Sequence, residues 1–155
     1  MTLTFRFAQE TDTPLILQFI RELADYEHLL DQVVADEATL RDQLFEKRRA
    51  EVLFALEDGA EVGFALFFHN FSTFLGRAGL YLEDLYVRPE HRGKGYGKAL
   101  FRQLAAIAAV RRQASRAAGP WSGRALPGRS DQMRGPRGAC PVGCGESGVT
   151  VVTLK

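Results

Sequence analysis

Two adjacent carboxylates, Glu83 and Asp84, stand in the apolar run LYLEDLYV, and a short basic segment later comes Arg92-Gly93-Lys94-Gly95-Tyr96-Gly97-Lys98. A carboxylate pair can accept protons or bind cations. The glycine turn suits the opposite charge. Glycine lets a backbone approach a ligand closely, and the first N–H groups of a following helix have no internal partner and point outward as an anion site. Arg92, Lys94 and Lys98 add positive charge, so a pyrophosphate fits the turn. The segment is not a Walker A loop, because glycine follows Lys94. It is not a dinucleotide fingerprint either, because Lys98 takes the place of the third glycine. The glycines taken alone favour a flexible, solvated strand-to-helix turn.

Other chemistry-bearing residues are sparser. Glu27 and Asp31 lie four apart, on one face if a helix continues through them; a solvated helix face is an equal reading for Asp31. His28, His69 and His91 lack metal-ligand spacing, and Cys140 and Cys144 form a lone C-x-x-x-C without a second pair, so no metal site is expected.

The elements that must position these groups follow from periodicity. Residues 3–8 alternate as a strand. Thr13-Pro14 reads as a cap followed by the first helical residue, opening a helix over 14–29 with Ile16, Phe19, Ile20, Leu23 and Ala24 inward. A shorter helix is expected over Asp36 to Lys47. Strands at 51–57 and 61–69 flank the turn Asp58-Gly59 as a hairpin. A loop around 70–76 leads to a third long strand, 79–88, and Lys98–Val110 reads as a helix with Leu100, Leu104 and Ile107 on one face. Regular alternation sends Asp84 to the face opposite Glu83, so both can line one pocket only across a bulge.

The chain has 155 residues, one ordinary domain, with enough apolar content for a core. No apolar run is long enough to span a membrane, and the start, MTLTFRFAQE, has no signal-peptide pattern, so the expectation is a cytoplasmic protein with no membrane partner. The net charge of +1 hides a split: residues 1–110 sum to −5 and residues 111–155 to +6. An acidic body suits a small cationic substrate better than a nucleic acid. All 11 phenylalanines and all four tyrosines precede residue 102, while eight of the 15 glycines lie from Gly119 onward. Such a tail cannot easily bury a core, and no aromatics interleave with its arginines after Trp121 to stack on bases.

The run 79–97 resembles motif A of the GNAT superfamily of acetyl-CoA-dependent N-acetyltransferases. Together with IRELADYEHLLDQV (20–33) and VGFALFF (62–68) it resembles most the spermidine/spermine (diamine) branch. The resemblance covers about residues 1–108. It implies a mixed α/β fold: a central, mostly antiparallel sheet flanked by helices, with residues 1–110 as the acetyl-CoA-binding core and 111–155 as a basic tail. It implies acetyl transfer from acetyl-CoA to a primary amine of a small polyamine-like or diamino-acid acceptor, and a homodimer. An aliphatic amine, with a pKa of about 10, must lose a proton before it can attack a thioester. The resemblance gives that proton to Glu83 through water. It aims the Leu85 N–H at the thioester carbonyl, pairs the Val87 backbone with the pantetheine arm, and puts the phosphates on residues 92–98. Acidic residues at the acceptor site match Glu27, with Asp31 and Asp84 as further candidates.

The resemblance stops near residue 108. The family continues with another strand and a helix carrying N-E-P-x-x-x-F-Y, whose tyrosine protonates the coenzyme thiolate; no tyrosine follows Tyr96 here, no helical or strand period survives until VTVVTL at 149–154, and the family's fifth strand is expected to have no credible counterpart. Arg, Gly, Ala and Pro codons are rich in G and C, as a shifted frame of a GC-rich gene produces. Read one base over, Gly123–Leu126 and Arg129–Arg134 allow Ala-Val-Leu and Ala-Ile-Arg. The tail is therefore expected to be poorly ordered or frameshifted, which sequencing of the coding DNA decides. The rival function is a catalytically impaired CoA-binding or interaction protein.

Overall fold

The computed structural model describes residues 1–117 and 149–151. A sheet in the order β1-β2-β3-β4-β5 forms from Leu3–Phe7, Glu51–Glu57, Ala60–Ser72, Arg77–Val87 and Val149–Val151. The first four strands pair antiparallel; β5 joins β4 in parallel, setting Val149 opposite Leu80 and Val151 opposite Leu82. The start of VTVVTL, a β-branched run, thus takes the edge place, which corrects the expectation that the fifth strand has no counterpart. Residues 111–117 of the expected tail are helical, and the expectation of a frameshifted or poorly ordered segment otherwise falls on 118–148 and 152–155, outside the described residues.

Helices cover both faces. On one side lie α1, Thr13–Tyr26, and α2, Glu37–Arg41, which runs into a π-helical turn at Asp42–Glu46; on the other lies α3, Tyr96–Ala117, which extends past the expected end at Val110. β2 is buried on both faces because its alternate residues feed two cores. Val52, Phe54 and Leu56 pack with Ile16 and Phe19 under α1, and Leu53 and Ala55 pack with Leu100 and Leu104 under α3. The Phe19 ring stacks 5.3 Å from Phe64 and lies 5.8 Å from Phe54. Asp58 and Gly59, both at positive φ, close the β2–β3 hairpin in the sense that matches strand twist.

Two local expectations are corrected. Thr13 is the first residue of α1 rather than its cap, and its buried hydroxyl donates to the Glu10 carbonyl at 2.6 Å. The helix also stops at Tyr26: Glu27 is its C-terminal cap, His28 turns to φ 60°, and Asp31 lies in a separate 3₁₀ turn, Leu30–Gln32. Glu27 and Asp31 therefore do not share a helix face. Among the described residues no helix is long and apolar enough to cross a membrane, and no cluster of His, Cys, Asp or Glu could hold a metal ion.

Candidate active site

The ladder between β3 and β4 slips at one point. Leu66 faces Asp84 and Phe67 faces Leu82, so Glu83 is an extra residue with no cross-strand partner. A bulge of this kind changes which face the following side chains take. Before it, Tyr81 stacks on Phe68 at 4.7 Å; after it, Tyr86 belongs to the core under α1. Glu83 lies two residues beyond Tyr81 and Asp84 two before Tyr86, so both carboxylates stand on the α1 face. The opposite-face expectation for Asp84 fails for the reason the sequence reading had allowed.

The electrostatics agree. Burial raises the Glu83 carboxyl above the usual range, and Asp84 is pushed up to about 6 by burial, then by the charges of Glu83 and Glu27. Glu83 also contributes to raising the Tyr81 hydroxyl. Asp84 thus senses two further carboxylates, its neighbour Glu83 and Glu27 at the end of α1. α1 is tied to that end through Arg88, at the exit of β4. Its guanidinium donates to both Glu22 oxygens at 3.0 and 3.1 Å and to the Glu61 carbonyl, and lies 4.6 Å over the Phe19 ring.

Beside this patch opens a cleft of about 590 Å³. Its walls are Leu23, Tyr26 and Glu27 of α1, Leu85, Tyr86 and Val87 of β4, and His91, Arg92, Gly93, Gly95, Tyr96 and Gly97 of the turn. Gly93 and Gly95 hold φ of 79° and 82°, which a side chain rarely adopts, and a Cβ built on either would touch nothing in the protein. That exposed backbone at the mouth of α3 is the fit expected for a phosphate-bearing ligand. Gly97 differs: its Cβ would sit 3.4 Å from Leu85 Cδ2, so it serves close helix-on-strand packing.

Arg92 lies 4.2 Å over the Tyr26 ring and donates from Nε to the Val87 carbonyl at 2.8 Å. Lys98 is exposed at the start of α3. Lys94 turns away from the cleft to Glu57, 2.7 Å from its Oε1, and the buried Tyr96 hydroxyl donates to the same carboxylate, which leaves the tyrosine pushed up to about 12. The structure therefore gathers Glu27, Leu85, Val87, Arg92, Gly93, Gly95, Tyr96 and Gly97 around one cleft, while Glu83 and Asp84 do not line it and Asp84 senses the charge of Glu27. Asp31 is exposed in its own turn and Lys94 is committed elsewhere.

Sequence reading missed Tyr26, Arg88 and Glu57. Glu57 carried a signal: alternation along EVLFALE places it on the same face as the buried Leu53 and Ala55, an unusual position for a lone acid.

Residues 17–119 match the family described as Acetyltransferase (GNAT) family. Thialysine N-epsilon-acetyltransferase of Bos taurus is 41% identical over 112 residues, 66% of this chain and 65% of that protein. L-ornithine N5-acetyltransferase of Arabidopsis thaliana is 29% identical over 146 residues, 64% of each. Among solved structures, a ribosomal-protein-alanine N-acetyltransferase from Brucella melitensis biovar Abortus superposes with a TM-score of 0.58 at 26% identity, over 72% of this chain and 74% of that one. The chain spans 65% and 64% of the length of these two relatives, less than two thirds of each.

Proposed function

The chain belongs to the acetyltransferase (GNAT) family, and on that footing we propose that it moves an acetyl group from acetyl-CoA to a primary amine of a small polyamine-like or diamino-acid acceptor. The observation that carries the acceptor class is the bulge at Glu83, which turns two carboxylates to the face that Glu27 borders. A cluster of like charges with raised affinity for positive charge is a site for a cation. The relatives named for thialysine and ornithine act, by their names, on molecules of that kind.

Residues 92–98 would hold the phosphates of acetyl-CoA, and the open backbone at Gly93 and Gly95 fits them. When bound, acetyl-CoA supplies an acetyl thioester, whose C–S bond breaks as the acceptor's N–C bond forms. Glu27 and Asp84 attract and orient the ammonium. Glu83 takes the proton that the amine must lose, directly or through one water. Its raised pKa brings it nearer the range where a base works efficiently at neutral pH.

A second reading has its own support: residues 97–155 contain no tyrosine, and the family resemblance assigns protonation of the thiolate to a tyrosine beyond the helix that follows the glycine turn. In that reading the chain binds CoA without efficient turnover. Calorimetry with CoA and a steady-state assay with a diamine separate the two. Binding together with turnover that saturates in the diamine supports transfer. Binding without turnover supports the second reading, and absence of binding rejects both.

A further inference from the structure

Glu57 ends β2, far in sequence from the glycine turn, and is only 8% exposed. All three of its side-chain partners come from the segment 91–96: His91 Nδ1 at 2.5 Å, Lys94 Nζ at 2.7 Å and the Tyr96 hydroxyl. A carboxylate can only accept, so its two oxygens impose one arrangement on three donors spread across the turn. Two of the intervening residues, Gly93 and Gly95, are at positive φ, and glycine is the residue with the most freedom to lose on ordering. Among the described residues, a Cβ at either would meet no atom within 4 Å beyond its chain neighbours.

We propose that Glu57 is a positioning residue for the cofactor: it clamps the glycine turn in its anion-receiving shape before a ligand arrives, with Lys94 serving as one jaw of that clamp. The inference rests on the acetyl-CoA reading of the turn. In this arrangement the backbone N–H groups, Arg92 and Lys98 meet the phosphates, while the Lys94 charge is spent against Glu57. A loop ordered in advance costs less to order on binding, so the clamp appears as affinity. The lowered Glu57 carboxyl, at about 2 with Lys94 as the leading cause, keeps it charged through the working pH range.

Two measurements on the full chain test this, with Glu57→Ala as the strong variant and Glu57→Gln as the milder one should alanine compromise folding. Amide exchange of the ligand-free protein is expected to rise by about tenfold over residues 91–97 while the β2–β3 core amides stay protected. Calorimetry is expected to show CoA affinity reduced by about tenfold or more, with the glutamine variant in between. Lys94→Met should weaken CoA binding in the parent and cost nothing further beside Glu57→Ala, because the two share one interaction. Unchanged exchange over the turn, unchanged CoA affinity, or additive losses in the double variant would overturn the role of Glu57. Failure of the unaltered chain to bind CoA would instead overturn the acetyl-CoA reading, and the exchange data would still decide whether Glu57 sets the turn.

Discussion

Glu83 and Asp84 are neighbours with separate expected phenotypes. Glu83→Gln removes a proton acceptor, so kcat is expected to fall by about 10²–10⁴-fold with little change in CoA affinity. The deficit should shrink as pH rises, because more acceptor arrives deprotonated; a pH–rate profile unchanged in height and shape would remove Glu83 from the mechanism. Glu27→Gln takes away attraction only and is expected to raise KM for a diamine more than it lowers kcat. Asp84 has a consequence for stability. Its folded value of about 6 lies above the ordinary aspartate value of 3.8, so the folded state binds the extra proton between those values and stability declines as pH climbs through that window. Asp84→Asn should therefore stabilise the protein by about 1–2 kcal/mol near pH 7 and hardly at all near pH 4, as read by denaturant melts at both. Glu57 acts in the opposite sense: its folded value is depressed, so the stability it contributes above its ordinary 4.5 is lost as pH falls toward about 2. Residue types and spacing marked the pair Glu83 and Asp84 and the glycine turn, while the choice of Glu83 as proton acceptor came from the family resemblance. The shared face of Glu83 and Asp84 stayed hidden because a bulge is set by the partner strand, which alternation within one strand does not report.

At the scale of elements, close backbone approach decides which glycines the fold requires. A Cβ at Gly63 would lie 2.8 Å from the Tyr86 carbonyl oxygen, backbone against backbone, with no side chain free to yield. Gly63→Ala is expected to cost about 1–3 kcal/mol in a denaturant melt by forcing β3 away from β4. Gly95→Val has another signature: strain of about 1–2 kcal/mol at positive φ, together with loss of CoA binding, since its side chain would fill open space before the helix. A calorimetric titration that matched the parent would move the phosphates off this turn. The β2–β3 hairpin and the strand–turn–helix around residue 95 were legible because Asp-Gly and the glycine run are local signals. The true end of α1 was not. Leu29 and Leu30 extend the apolar period, yet the backbone breaks at His28, and the Leu29 N–H bonds back to the Ala24 carbonyl.

At the scale of the molecule, β5 is three residues long and, among the described residues, pairs with Leu80–Leu82. A chain ending at Ala117 would leave that edge of β4 unpaired among the described residues, and open edges invite association. Sedimentation velocity should then show concentration-dependent growth that the parent lacks; identical profiles would mean that β5 guards nothing. Composition marked the tail as different from the body, but a partner for the edge of β4 could not be foreseen, because strand pairing over such a separation leaves no local pattern. One feature of β4 bears on the whole chain's tolerance to change in length. Removing a single residue from a strand ordinarily turns every later side chain to the wrong face. Here Leu66–Asp84 and Phe67–Leu82 are already successive rungs, so a chain lacking Glu83 could close into a regular ladder with both cores intact. Such a deletion should melt close to the parent and lose acetyl transfer. A deletion variant that folds and loses activity would mean that the place of Glu83 in this strand answers to chemistry and not to architecture; one that unfolds, or that keeps acetyl transfer, would reject this.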